Sequence, residues 1–323
     1  MHLRSTSKIS ILSILILCFP LSQSVFGWDK AGEVEALLTD LCKEGQFNGA
    51  VLISKNGQVV FKKACGIANI DKKTPLTTAT PFNLASVAKQ FTAMAIMILE
   101  EKGKLKYDDS IAKYLPELEH YKAVTIRRLL NHTGGLADYA ELFEKQKWDT
   151  SKTVDNNDLI ALLKKQQPAL LFEPGSKFMY SNTGYVLLGS IIQKASGQPF
   201  EIFLKQNIFD PLGMKNSFAY NLKMKQCPAE RAMGFIMRDS TPSPFDLNYL
   251  DGIMGDGNVY CSTEDLFIWD QALYTEKLVK KAALALAFTP GKLNNGSSTN
   301  YGFGWSLSED QKSVRHTGAW VGF

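Results

Sequence analysis

The chain lacks several features that mark particular protein classes. Its five cysteines form no Cys-x-x-Cys pair and no cluster with its four histidines, which excludes the common zinc-site patterns. The 36 basic and 32 acidic residues give a net charge of only +4, without the basic run typical of nucleic-acid binding. We find no internal repeat and no cofactor motif. We therefore expect no metal, no cofactor and no nucleic-acid partner, while the oligomeric state stays open.

No apolar run near the N-terminus is long enough to span a membrane comfortably, since spanning takes about 20 residues. Arg4 and Lys8 precede an apolar stretch at 9–19, and Val-Phe-Gly at 25–27 resembles a small-residue cleavage site. We interpret residues 1–27 as a signal peptide, with an uncleaved anchor as the alternative. The mature chain is then periplasmic or secreted, with no stable membrane span.

Cleavage of the signal peptide leaves four cysteines, Cys42, Cys65, Cys227 and Cys261. Export makes disulfides possible, but four cysteines in so large a domain are not a disulfide scaffold. We therefore expect buried free thiols.

The composition, 45% hydrophobic and 21% charged, is that of a globular protein long enough for two lobes. Strand-like alternation lies at both ends of the chain, where Asn56-Gly57 predicts a hairpin, and helical periodicity fills the middle, although residues 137–155 look polar and irregular. We predict an α/β (α+β) fold: an antiparallel sheet from about 28–82 and 258–323, flanked by helices, with an inserted all-helical lobe at about 83–257.

The most informative stretch begins at Ser86. From Val87 to Leu99 nearly every residue is apolar or small, which indicates a helix buried on all faces. Ser86 and Lys89 lie three residues apart and therefore share a helix face. Burial lowers the pKa of a lysine, and a helix N-terminus favours an oxyanion. The pair predicts a nucleophilic serine beside its base; an N-cap serine with a solvated lysine is the alternative.

Ser-x-x-Lys also occurs at Ser5 and Ser110, but only Ser86 opens an apolar helix. Tyr180-Ser181-Asn182 precedes a second apolar helix. Near an ammonium, the pKa of Tyr180 could fall so that it acts as a general base, and Asn182 could bind a substrate amide. Alternatively, Tyr180 packs and Asn182 caps the helix.

His-Thr-Gly occurs twice. We interpret His132-Thr133-Gly134, directly after a short helix, as a helix stop. His316-Thr317-Gly318 ends a predicted strand and leads into Ala319, where a backbone N–H could face a cleft.

In this order, Ser86-Val87-Ala88-Lys89, Tyr180-Ser181-Asn182 and His316-Thr317-Gly318 resemble the three motifs of the serine β-lactamase and D,D-peptidase superfamily. The Tyr-x-Asn form is similar to the class C branch, which also contains esterases and D-amino-acid peptidases. Stretches such as 129–136 and 301–305 are similar to its framework, so the resemblance covers the chain from about residue 30 onward.

The resemblance implies a catalytic set in which Ser86 is the acylated nucleophile, Lys89 its proton partner and Tyr180 the shared general base. It also implies substrate binding by Asn182, His316, Thr317 and Gly318, and an oxyanion hole formed by the backbone N–H groups of Ser86 and Ala319. His316 would bind a substrate carboxylate or tune Tyr180, and a histidine is partly uncharged near neutral pH.

The chain departs from the family pattern in two places. His316 stands where true class C β-lactamases have lysine, so we expect ester or D-amino-acid amide hydrolysis to exceed β-lactam hydrolysis. The chain stops at Phe323, where the family fold continues, so we expect the hydrolase domain at 28–323 to be C-terminally incomplete. The alternatives are a class C-type β-lactamase, or a penicillin-sensing or peptidoglycan-binding domain that is acylated but not turned over.

Overall fold

The computed structural model describes residues 10–11, 30–227, 229–239 and 241–323. The signal peptide predicted at 1–27 lies outside these residues, except for Ser10 and Ile11, whose backbone pairs in parallel with Ser313 and Val314. Among the described residues, no helix combines the length and apolar character needed to cross a bilayer.

The helices fill the middle of the chain, as predicted. The α-helices of the described residues are α1 Ala31–Lys43, α2 Lys89–Glu101, α3 Ile126–Leu130, α4 Tyr139–Lys145, α5 Asn156–Gln166, α6 Asn182–Ser196, α7 Phe200–Leu204, α8 Asp210–Leu212, α9 Thr263–Ala272 and α10 Lys281–Ala287. Short 3-10 helices cover Ala85–Ala88, Ile111–Lys113 and Pro116–Tyr121, and a π-helical turn covers Lys205–Phe209.

Helix α4 lies where the sequence suggested irregular structure, at 137–155. The Asp138 side chain accepts a hydrogen bond from the Ala140 N–H at 3.0 Å and so caps the helix. Tyr139, Leu142 and Phe143 are buried on its inner face. The sequence did not predict this helix because its apolar pattern is short and polar residues surround it.

The strands are short. They are β1 Ser10–Ile11, β2 Gly49–Lys55, β3 Gln58–Cys65, β4 Ile67–Asn69, β5 Thr74–Pro75, β6 Phe82–Asn83, β7 Phe218–Ala219, β8 Phe235–Arg238, β9 Thr241–Pro244, β10 Val259–Cys261, β11 Ser306–Leu307 and β12 Ser313–Arg315. The predicted hairpin is confirmed as β2–β3, with both turn residues, Asn56 and Gly57, at positive φ.

Strands from the two ends of the chain pair with each other, as predicted, because β6 and β10 are antiparallel neighbours. In the part of the chain that the structure describes, the strand orders are β1-β12-β11 and β6-β10-β7, with separate pairs β2-β3, β4-β5 and β8-β9. The mixed α/β class is as predicted. Strand β6 leads directly into Ser86, and β10 pairs with it in antiparallel fashion, so these strands fix where α2 begins.

The core is centred on α2 and α6, which pack against each other. All residues of α2 from Lys89 to Leu99 are buried, as the apolar pattern predicted. The Lys89 amine at its first residue is therefore enclosed by protein, and its surroundings decide its chemistry.

Our expectation of free thiols is wrong for one pair. Cys42, in α1, and Cys65, at the end of β3, form a disulfide. The turn of the β2–β3 hairpin returns the chain to α1, which brings together two cysteines that no short sequence pattern connects. Cys261 is buried and free, and Cys227 is half-buried and free.

Candidate active site

Ser86 lies where the chain passes from β6 into α2, inside the 3-10 helix Ala85–Ala88. The preceding residue, Ala85, has a φ of 46°, in the left-handed region that few residues other than glycine adopt. Its N–H donates to the Asn83 side-chain oxygen at 2.9 Å. This bond stabilises the sharp turn that presents Ser86 at the surface of the cleft.

Lys89 is fully buried, and its Nζ contacts three oxygens. These are Ser86 Oγ at 2.9 Å, Asn182 Oδ1 at 3.0 Å and the Asp256 carbonyl at 2.9 Å. Burial lowers the pKa of Lys89 from 10.5 to about 8, although the Asp256 and Asp138 carboxylates oppose the change. The amine is thus charged at neutral pH but close to losing a proton.

The chemistry of these three partners favours proton transfer from Ser86. Asn182 Oδ1 and the Asp256 carbonyl can only accept hydrogen bonds, whereas a serine hydroxyl can also donate. A neutral Lys89 therefore keeps two N–H bonds on the two carbonyl oxygens, and its lone pair faces Ser86. The predicted pair of nucleophile and base has the geometry to work.

Asn182, the first residue of α6, is hydrogen-bonded to both Lys89 and Asp138. Its Nδ2 donates to Asp138 Oδ2 at 3.0 Å, and its backbone N–H donates to the same oxygen at 3.3 Å. Its Oδ1 is the acceptor for Lys89. Asp138, which the sequence did not single out, therefore fixes the orientation of the amide and places a carboxylate near Lys89.

Tyr180 lies at the cleft with 39% of its surface exposed, and its hydroxyl interacts with Ser86. Desolvation of the hydroxyl raises the pKa of Tyr180, and the interaction with Ser86 only partly offsets this. The lowered pKa that we expected is absent, because desolvation outweighs the effect of Ser86, and the Asp256 and Asp138 carboxylates raise the pKa further. The Lys89 Nζ lies over the Tyr180 ring, 5.0 Å from its centroid. Tyr180 is thus a protonated phenol at neutral pH, suited to passing a proton on.

His316 lies at the end of β12 and is also buried. Its Nδ1 donates to the Thr317 carbonyl, and its Nε2 accepts from the Tyr301 hydroxyl, both at 2.7 Å. Burial, with a further contribution from Lys89, lowers its pKa to about 4. The expectation of a partly charged His316 is therefore wrong, because the ring is neutral at neutral pH and both nitrogens are engaged; its role in substrate binding stays a prediction.

Gly318 brings the third motif against the nucleophile. A Cβ at this position would lie 2.3 Å from the Leu84 carbonyl oxygen and 3.0 Å from the Ser86 nitrogen, so only glycine fits. The next residue, Ala319, lines the same cavity as Ser86. The predicted oxyanion-hole residues thus lie on the same cavity, and Thr317 beside them is exposed.

The cavity beside Ser86 has a volume of about 170 Å³. Asn182, Tyr139, Asp251, Asp256 and Trp320 are among its lining residues. The two aspartates are its only charged lining residues in the described part of the chain. Desolvation raises the pKa of both, that of Asp251 to about 6.

Hydrogen bonds anchor both aspartates. Asp251 accepts from Trp320 Nε1 at 2.7 Å, and Asp256 accepts from the Tyr139 hydroxyl at 3.1 Å. These bonds attach Trp320, after the third motif, and Tyr139, at the start of α4, to the wall of the cavity that carries the two aspartates. The sequence reasoning missed this acidic wall.

His132 is another residue that the sequence reasoning undervalued. Its ring lies 4.2 Å from the Tyr180 ring, between centroids. We interpreted His132-Thr133-Gly134 only as a helix stop, and it does follow α3. The only sequence feature that could have pointed to His132 is the second occurrence of the His-Thr-Gly motif.

With this geometry in place, comparison with known proteins identifies the family. The family described as Beta-lactamase matches residues 34–323. The chain belongs to the beta-lactamase family. The resemblance in the three motifs is thereby confirmed, and members of this family are generally serine hydrolases.

Two curated relatives of this beta-lactamase-family chain come from Bacillus subtilis (strain 168). Penicillin-binding protein 4* is 41% identical over 308 residues, covering 91% of this chain and 68% of the relative. The putative penicillin-binding protein PbpX is 32% identical, covering 84% of this chain and 65% of the relative. The chain spans about two thirds of the length of these relatives.

Solved structures of the beta-lactamase family share the fold. The penicillin binding protein from Bacillus halodurans has a TM-score of 0.71 at 28% identity, covering 84% of each chain. The D-amino acid amidase from Ochrobactrum anthropi SV3 has a TM-score of 0.68 at 25% identity, covering 87% of this chain and 81% of the amidase.

Proposed function

We propose that the chain is an exported serine hydrolase that acts on esters or D-amino-acid amides and peptides through an acyl-enzyme at Ser86. The observation that carries the proposal is the fully buried Lys89 amine, 2.9 Å from Ser86 Oγ, whose other two partners can only accept hydrogen bonds. A base in this setting activates a serine hydroxyl.

The proposed reaction begins when Lys89 accepts the Ser86 proton and Oγ attacks the substrate carbonyl carbon. The backbone N–H groups of Ser86 and Ala319 stabilise the negative oxygen that forms. Tyr180, whose hydroxyl interacts with Ser86, donates its proton to the leaving alcohol or amine as the bond to the carbonyl carbon breaks, and regains one from Lys89. Water then attacks the acyl-enzyme, releases the acid and restores Ser86.

The charges of the cavity favour substrates without a carboxylate. Asp251 and Asp256 line it, His316 is neutral, and Lys89 already has three acceptors. Like charges disfavour an anionic substrate, and β-lactams carry a carboxylate. The likeness to a D-amino acid amidase supports the same choice over a class C-type β-lactamase.

The proposed export has separate support. Disulfides form and persist in oxidising compartments outside the cytosol, and Cys42 and Cys65 form one here.

The test is labelling with a fluorophosphonate probe together with turnover of a nitrophenyl ester. Ser86→Ala should abolish both, whereas the matched control Ser110→Ala, at the other Ser-x-x-Lys spacing of the mature chain, should label like wild type. Labelling that survives Ser86→Ala contradicts the proposal. A burst without steady-state turnover favours the sensor alternative, and a kcat/KM much higher for a chromogenic cephalosporin than for the ester favours the β-lactamase.

A further inference from the structure

His132 lies at the centre of a buried group of rings and is only 2% exposed. Its ring centroid is 4.2 Å from that of Tyr180, 4.5 Å from that of Tyr301 and 5.0 Å from that of Tyr185. A histidine in such a place is unusual for a core position, where apolar residues pack equally well without a polar atom to satisfy.

The hydrogen bonds of His132 define its protonation. Its Nδ1 accepts from the Ser181 N–H at 3.2 Å, so the neutral ring carries its proton on Nε2. Burial, together with Lys89 and His316 nearby, lowers the pKa of His132 well below its usual value, so the ring is neutral. Nε2 is buried and has no hydrogen-bond partner. An unsatisfied buried N–H lowers stability, which indicates that this residue is present for another reason.

His132 also contacts the residues on either side of Tyr180, in part through its backbone. Its φ of 56° lies in the left-handed region, and its carbonyl accepts from the Met179 N–H at 2.9 Å. The residues before and after Tyr180 are therefore both hydrogen-bonded to His132, one through its carbonyl and the other through its ring. The Tyr180 ring itself is in contact with the His132 ring and, at 5.0 Å, with Lys89 Nζ.

We propose that His132 is a positioning residue for the acylation reaction, which holds the Tyr180 side chain at the cleft by packing against its ring and by hydrogen bonds to Met179 and Ser181. The proposal rests on the function proposed above. Displacing a catalytic group by about 1 Å can cost on the order of 100-fold in rate, so small changes at His132 should be measurable.

Two variants divide the contacts of His132 between them. His132→Asn keeps an acceptor at the position of Nδ1 and tolerates the left-handed backbone, but it loses the ring. His132→Phe keeps a ring and loses the acceptor. We expect each to lower kcat for a nitrophenyl ester about 10- to 100-fold, with KM changed less than about threefold and with the fraction of folded protein checked by urea unfolding.

The matched control is His120, an exposed histidine whose ring lies 4.0 Å from that of Tyr121, away from the cleft. His120→Asn and His120→Phe should keep the wild-type kcat.

The deciding measurement combines each variant with Tyr180→Phe. Substitutions of residues that act as one unit have non-additive effects. If His132 acts through Tyr180, each His132 substitution should therefore lower kcat by less than about twofold in the Tyr180→Phe background. A His132 substitution that lowers kcat as much in the Tyr180→Phe background as in wild type overturns the proposal. Wild-type kcat in both single variants overturns it as well. If one variant does not fold, the other alone decides the test. Activity that survives Ser86→Ala would instead overturn the proposed function.

Discussion

The pH dependence of acylation tests the assignment of Lys89 as the base. Its pKa is lowered from 10.5 to about 8, which corresponds to about 3 kcal/mol against the charged form. About one tenth of Lys89 is then neutral at pH 7 and about nine tenths at pH 9. Since only the neutral amine accepts the Ser86 proton, kcat/KM should rise about tenfold between these pH values and level off above them.

Other groups at the site do not obscure this rise. The pKa of Tyr180 is raised, and that of His316 is about 4, so neither changes charge between pH 7 and 9. The assay is the rate constant for fluorophosphonate labelling from pH 6.5 to 9.5, which reports acylation alone. A flat profile in this range would show that Lys89 is not the base.

Asp138→Asn makes the test specific to the charges around Lys89. The Asp138 carboxylate raises the pKa of Lys89, so its removal should lower that pKa and move the labelling profile to lower pH. The single side-chain oxygen of asparagine can still cap α4, so the helix should persist, but the bonds that Oδ2 accepts from Asn182 are lost. Asp210→Asn, which removes an exposed carboxylate paired with Lys205, is the control that should leave the profile in place. A shift of the Asp138→Asn profile to higher pH would refute the electrostatic argument.

Three further predictions concern stability and the third motif. The pKa of His316 is about 4 in the folded state and about 6.5 in the unfolded chain, so its contribution to the free energy of unfolding is complete above pH 6.5 and declines by about 2 kcal/mol by pH 5. Urea midpoints should show this loss in wild type and less of it in His316→Gln. Replacing Cys42 and Cys65 by alanine should cost about 3 kcal/mol, since the disulfide joins residues 23 apart in sequence; equal urea midpoints with and without the bond would contradict this. Gly318→Ala should lower kcat at least about 100-fold by pushing on the Ser86 backbone, whereas Gly32→Ala, in open space on α1, should have no effect.

The residues of the candidate site could be predicted because each belongs to a local pattern. Ser86 and Lys89 are one helical turn apart at the start of an apolar helix, and Tyr180 and Asn182 lie at the start of another. Such patterns place residues on one face of one element, so the sequence alone brings them together. The hairpin at Asn56 was predictable for the same reason.

The surroundings of Lys89 could not be predicted, because they come from distant parts of the chain. Asp138 lies 49 positions after Lys89, and Asp256 lies 167 positions after it. Their effect on Lys89 depends on how α4 and the segment before β10 pack against α2. Our prediction for the pKa of Tyr180 was wrong in direction for a related reason: the pKa depends on the desolvation of the hydroxyl and on the Asp138 and Asp256 carboxylates, which the fold brings near it.

The disulfide between α1 and β3 also determines what a protease would release from the folded protein. The turn at Asn56 and Gly57 lies between the two bonded cysteines in the sequence, and both turn residues are exposed. Exposed loop tips are where proteases cut folded chains most readily. A single cut there would leave two polypeptides joined by sulfur, which migrate as one species until a reducing agent separates them.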